Sequence, residues 1–78
     1  RSRVQKRVMS DEDVDVVNKM LVKIGKGMKV EVEYFKAFHN VVIKGIIDKI
    51  DKKLAIMEIG EEKIFFDDIY NIEIIDFA

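Results

Sequence analysis

The chain has 78 residues, 49% of them hydrophobic and 37% charged, which makes one globular domain with little material to spare for a core. It contains no cysteine and no proline, so no disulfide staples it and stability must come from packing alone. The formal charge of −1 hides an asymmetry, and no apolar run approaches the ~20 residues of a membrane span.

Arg1, Arg3, Lys6 and Arg7 give the first ten residues four positive charges and no acid. Residues 1–9 therefore read as a basic N-terminal arm, disordered or left over from expression, and residues 10–78 as a single domain. No signal peptide is visible, and a cytoplasmic location with no membrane contact is expected.

From Ser10 to Gly25 the pattern is helical. Ser10 and Asp13 have capping-box spacing, and Met9 and Val14 stand at the positions of a hydrophobic staple. Asp11, Glu12, Asp13 and Asp15 crowd the start while Lys19 and Lys23 come later, as the helix dipole prefers. Val14, Val17, Leu21 and Ile24 define one buried face, and Gly25 and Gly27 end the helix.

Beyond Lys26 the chain reads as β. It holds 12 Ile and 10 Val against 2 Leu, and 11 of the 12 Ile lie at or beyond Ile43. Such side chains pack well on a pleated surface. Met28, Val30, Val32 and Tyr34 alternate with Lys29, Glu31 and Glu33 as a half-buried strand. Residues 37–40 are expected to turn into a second strand over 41–50, with a bulge or bend at Gly45. Asp51-Lys52-Lys53 turns into a strand over 54–59, and Gly60-Glu61-Glu62 into one over 63–66. A short helical turn capped by Asp67 and Asp68 leads to a fifth strand over 70–75. The expected fold is mainly β with one N-terminal helix: a small five-stranded SH3-like or Sm-like barrel, whose closure would limit exposed edges.

The residue inventory argues against an enzyme. Apart from tyrosine, the only hydroxyl side chains are Ser2 and Ser10, there is no thiol, and His39 is the only histidine. No nucleophile–base arrangement can be assembled from these. Residues 11–15 hold four acids in calcium-loop fashion, but Lys19 follows and the loop's glycine and distant glutamate are missing. Asp67 and Asp68 are more simply a cap than a magnesium site, and Gly25-Lys26-Gly27 is too short for a phosphate loop. No cofactor is expected.

Binding is the class that remains. Alternation places Tyr34 and Phe35 on opposite faces, and likewise Phe65 and Phe66, so one aromatic of each pair should stay outside the core. Phe38 in the hairpin turn, with Phe35 and His39 beside it, is the leading anchor for a protein partner. A nucleic-acid surface is the alternative, built from Arg1, Arg3, Lys6 and Arg7 with Lys52 and Lys53. Lys44 and Lys49 extend that group, while Asp48, Asp51 and the seven acids beyond Ile56, Glu58 among them, oppose it. Exposed strand edges also leave room for a homo-oligomer.

The segments VEVEYFKAFHNVVIKGIIDKID (residues 30–51) and IMEIGEEKIFFDDIYNIEII (residues 56–75) resemble the YolD-like family of small proteins from Gram-positive bacteria, their phages and plasmids. The correspondence lies in the Tyr34-Phe35 pair, Gly45, Ile50-Asp51 and the closing stretch from Ile64 to Ile72, and it extends over roughly residues 10–75. This chain departs in having no Trp or Pro toward its N-terminus, and Ala37-Phe38-His39-Asn40 where relatives commonly carry a glycine-containing turn. The resemblance implies an accessory protein of DNA repair and damage-induced mutagenesis, with an error-prone DNA polymerase as the expected partner. It implies no catalytic residues.

Overall fold

A computed structural model describes residues 9–76; the basic residues Arg1, Arg3, Lys6 and Arg7 lie outside them. Helix α1 spans Asp11–Lys23, followed by strands β1 (Lys29–Lys36), β2 (His39–Asp51), β3 (Ile56–Ile59) and β4 (Glu62–Phe65), a 3-10 turn (Phe66–Asp68) and β5 (Ile69–Asp76). The strands form one antiparallel sheet in the order β4-β3-β2-β1-β5.

The helix begins as its sequence dictates. The Ser10 hydroxyl accepts the Asp13 amide at 3.2 Å, satisfying one of the donors a helix start leaves unpaired. At the other end the Ile24 amide closes on the Met20 carbonyl. Val17, Leu21 and Ile24 enter the core, but Val14 is 41% exposed. The stripe is correct in phase and too long by one turn, because the buried contact, with α1 laid on β5, begins only at Val17.

Strand β1 alternates as expected, with Val30, Val32 and Tyr34 buried. The hairpin turn is tighter than expected: only Ala37 and Phe38 form it, and His39 and Asn40 are already paired in β2 with Lys36 and Phe35. Three other boundaries shift. Leu54 and Ala55 belong to the turn rather than to β3, because Asp51 accepts the amides of Lys53 and Leu54, both at 3.0 Å, and Ala55 takes φ 59. Glu62 is already in β4, since Gly60 at φ 61 makes a two-residue turn with Glu61 sufficient. The 3-10 turn begins at Phe66 and has no side-chain cap, so Asp67 and Asp68 do not play the capping part expected of them.

Thirteen-residue β2 is shared between two ladders. Residues 39–46 pair with β1, and residues 47–51 pair with β3. Gly45 is not a bulge: its register with Val30 is regular, and the irregularity falls between Ile47 and Lys49. What Gly45 supplies is space, since a Cβ there would lie 2.8 Å from Cγ2 of the buried Ile59. The Asp48 carboxylate accepts the Gly60 amide at 2.6 Å, fastening the β3–β4 turn to the bent strand.

The sheet is not closed into a barrel: β4 and β5 stand at its two ends and are not paired with each other. One core runs through it, including Ile47, Met57, Ile64, Ile69 and the α1 residues. An extra residue in β5 opposite Glu33 and Tyr34 turns both Ile69 and Tyr70 inward, while Ile75 emerges 44% exposed.

Replacing Gly45 by Ala should lower unfolding free energy by about 1–3 kcal/mol, the usual effect of overpacking a filled core. Urea denaturation measures it; a stability equal to that of the parent chain would show that the Gly45–Ile59 contact does not constrain the fold.

Candidate protein-binding surface

The β1–β2 hairpin is short and has no room for error. The type I′ two-residue turn, one of the two whose twist matches the flanking strands, places both central residues at positive φ, which favours Asn-Gly. This chain places Ala37 at φ 49 and Phe38 at φ 67. A side chain in that region costs roughly 1–2 kcal/mol per residue. An aromatic held there is an observation that needs a reason, because backbone strain of this kind collects at functional positions.

The turn sets Phe38 against Phe35, with ring centroids 6.4 Å apart and planes at 87°, an edge-to-face pair. Phe38 is 46% exposed, Phe35 is half-buried and His39 is exposed beside them. The three residues singled out from the sequence therefore lie together at one end of the sheet, on strand ends fixed by β1–β2 pairing.

The partition of the aromatic pairs follows the alternation: Tyr34 is buried and Phe35 is not, while Phe66 packs against the core and Phe65 is 53% exposed. Phe35 and Phe65 line one cleft of about 390 Å³, together with Tyr34, Lys36, Ala37 and Lys63. Phe65 was not singled out as a site residue. Its signal was the alternation itself, but nothing local indicates that β4 lies near the end of β1.

What brings the two together is a polar lock between strands that are not neighbours in the sheet. The Tyr34 hydroxyl donates to Glu62 Oε2 at 2.9 Å, and the Lys36 ammonium donates to Glu62 Oε1 at 2.6 Å. Burial first, and then the bond to the carboxylate, push the Tyr34 phenol up to about 12. The bonds from Lys36 and then from Tyr34 hold the Glu62 carboxyl below its usual range.

The basic residues within the described chain are placed differently. The Lys52 ammonium donates to the Val22 carbonyl at 3.0 Å, serving the last turn of α1, and Lys53 is exposed in the turn before β3. The Phe66 amide bonds the Ala55 carbonyl at 2.9 Å, which sets Asp67 and Asp68 next to that turn. One groove, about 720 Å³, mixes Lys29 and Lys44 with Asp48 and Glu61. Among the described residues no group of three or more His, Cys, Asp or Glu could hold a metal ion, and no helix is long and apolar enough to cross a membrane.

Comparison with family models, curated proteins and solved structures finds no match to this chain.

Two measurements probe this surface. Ala37→Asn should raise stability by about 0.5–1 kcal/mol, because Asn tolerates positive φ better than Ala; a loss of stability would contradict the turn geometry. The Tyr34 phenol, with its folded value above the ordinary value near 10, contributes stability that is full below pH 10 and lost as pH rises through about 12. Absorbance titration should show one late-ionising tyrosine that disappears in Tyr34→Phe, with about 1 kcal/mol of stability lost at neutral pH. Ionisation of that phenol near pH 10 would mean the Glu62 bond is absent.

Proposed function

We propose that this protein is a non-enzymatic binding module whose partner is another protein, and that the Phe35–Phe38–His39 hairpin end is the contact surface. The observation that carries the reading is the aromatic Phe38, half-exposed and held at positive φ where Gly or Asn would be unstrained. A rigid aromatic pair on a fixed hairpin end is the kind of anchor that contributes most to protein recognition.

The strand order and the N-terminal helix support an Sm-like or SH3-like assignment of the open sheet. The resemblance to the YolD-like family supports a cytoplasmic accessory role in DNA repair, with an error-prone DNA polymerase as partner. Nucleic-acid binding is the weaker alternative: Lys52 is engaged at the helix end, acids adjoin its turn, and the arm residues lie outside the described chain.

The test is binding of the purified protein to a purified error-prone polymerase from a Gram-positive bacterium, followed by calorimetry. Phe38→Ala should weaken binding at least tenfold while the protein still folds cooperatively, with stability reduced by no more than the lost Phe35 contact, about 0.5–1.5 kcal/mol. Undiminished affinity would remove Phe38 from the contact. Steeply salt-dependent affinity for RNA or DNA, with none for the polymerase, would favour the alternative.

A further inference from the structure

The free edge of β4 has the geometry of a strand-pairing site, and its backbone pattern can be derived. The Phe66 amide bonds Ala55, and the pairing runs Ile56↔Phe65, Met57↔Ile64, Glu58↔Lys63 and Ile59↔Glu62. In an antiparallel ladder, residues alternate between bonding the partner and pointing away from it. Phe66, Ile64 and Glu62 therefore turn their backbone groups toward β3, and Lys63 and Phe65 turn theirs to the open side. Both of those side chains are exposed on the outer face, whereas Ile64 is buried on the inner one. Strand β1 is not paired with this edge, and a cleft of about 390 Å³ lies between them.

Natural edges are usually blunted. Strand β4 is short and carries Lys63, but it also exposes Phe65, which no blunted edge needs. Water can satisfy these two outward amides and two outward carbonyls singly, but a protein occupant that bonds all four at once must be an extended segment.

Among the described residues two strands are candidates for that role, β4 and β5 themselves. Because the Ile47 amide bonds the Met28 carbonyl, Val30 and Val32 face β2 and Glu31 and Glu33 face β5. Asn71 and Glu73 are thus bonded to β1, leaving Ile72 and Ile74 directed to the outer edge of β5. Pairing β4 antiparallel with β5 of a second copy would match Lys63 and Phe65, from the outer face, with Ile72 and Ile74, from the inner face. The apolar face of one copy would then continue into the solvated face of the next. Pairing β5 with β5 about a two-fold axis would put Glu73 opposite Glu73, and α1 already packs on that strand.

Pairing β4 with β4 about a two-fold axis through Ile64 has neither defect. It matches Lys63 with Phe65 of the other copy twice, both on the outer face, and brings the two Ile64 positions together on the inner face. Each Lys63 then lies between its own Glu58 and an aromatic ring, a charge and cation–π complement. No like charges are opposed within the paired residues 62–66, although Glu61 and Asp67 face each other just beyond them. We infer that this protein forms a two-fold dimer through its β4 edges, joining two five-stranded sheets into one through the backbone of Lys63 and Phe65.

The experiment is sedimentation of the full chain from about 1 μM to about 1 mM, the range in which a small interface associates. Amide exchange at high and low concentration accompanies it. Dimer should accumulate with concentration, and the Lys63 and Phe65 amides should gain protection. Phe65→Pro removes an outward amide at a residue whose φ of −86 lies near the range proline accepts, and should weaken association at least tenfold. Should that variant unfold, the amide protection of the parent chain decides the matter. A monomer throughout, protection appearing at Ile72 and Ile74 instead, or undiminished dimer in folded Phe65→Pro would overturn the proposal.

Discussion

At Gly45 a methyl group of Ile59 occupies the space any side chain would fill, and that contact is the constraint on which the architecture depends. It lets β3 close down on β2 just where β2 leaves β1, so one thirteen-residue strand serves two ladders. Ile47, fully buried at the changeover, has both backbone groups bonded to the segment before β1, through the Gly27 amide and the Met28 carbonyl, each at 2.9 Å. A flat sheet of these short strands could not enclose a core. The bend makes the sheet wrap Met57, Ile59 and Ile64 against Val30, Val32 and Tyr34, with α1 closing one side. Burial of this shared apolar surface is the main source of stability for a chain without disulfides.

The same bend carries β4 around toward the end of β1, and there the closure changes character. Backbone pairing does not bridge the gap; Glu62, Tyr34 and Lys36 do, with side chains. The Lys36–Glu62 pair is partly exposed and contributes modestly, but Tyr34 is buried, and its hydroxyl needs a partner. This lock positions the cleft between Phe35 and Phe65 and leaves the free edge of β4 beyond it. Hairpin end and sheet edge are thus adjacent features of one seam.

The secondary structure was largely legible because it depends on local patterns. The change from helical to alternating periodicity near Lys26, the Ser10 cap and the run of β-branched residues identified the helix and all five strands. The errors fall where geometry overrides pattern. Leu54 looks like the first residue of a strand but is 71% exposed, because the Asp51 carboxylate holds its amide in the turn. His39 and Asn40 look like turn residues but are paired, because the chain accepts positive φ at Ala37 and Phe38 to make the turn in two residues. Gly45 was legible as special, but not as a close approach rather than a bulge, since which of these a glycine serves depends on a neighbour distant in sequence.

By itself, the sequence determined the elements, the inward face of β1 and the division of Tyr34-Phe35 and Phe65-Phe66 each into a more buried and a more exposed aromatic. Alternation along a strand is a property of the chain alone. Only the tertiary structure decided that the sheet stays open, that Glu62 reaches Tyr34 and Lys36 across 28 and 26 residues, and that Lys52 serves a helix end. Those outcomes depend on where β2 passes from β1 to β3, and a long-range contact leaves no local periodicity from which it could be read.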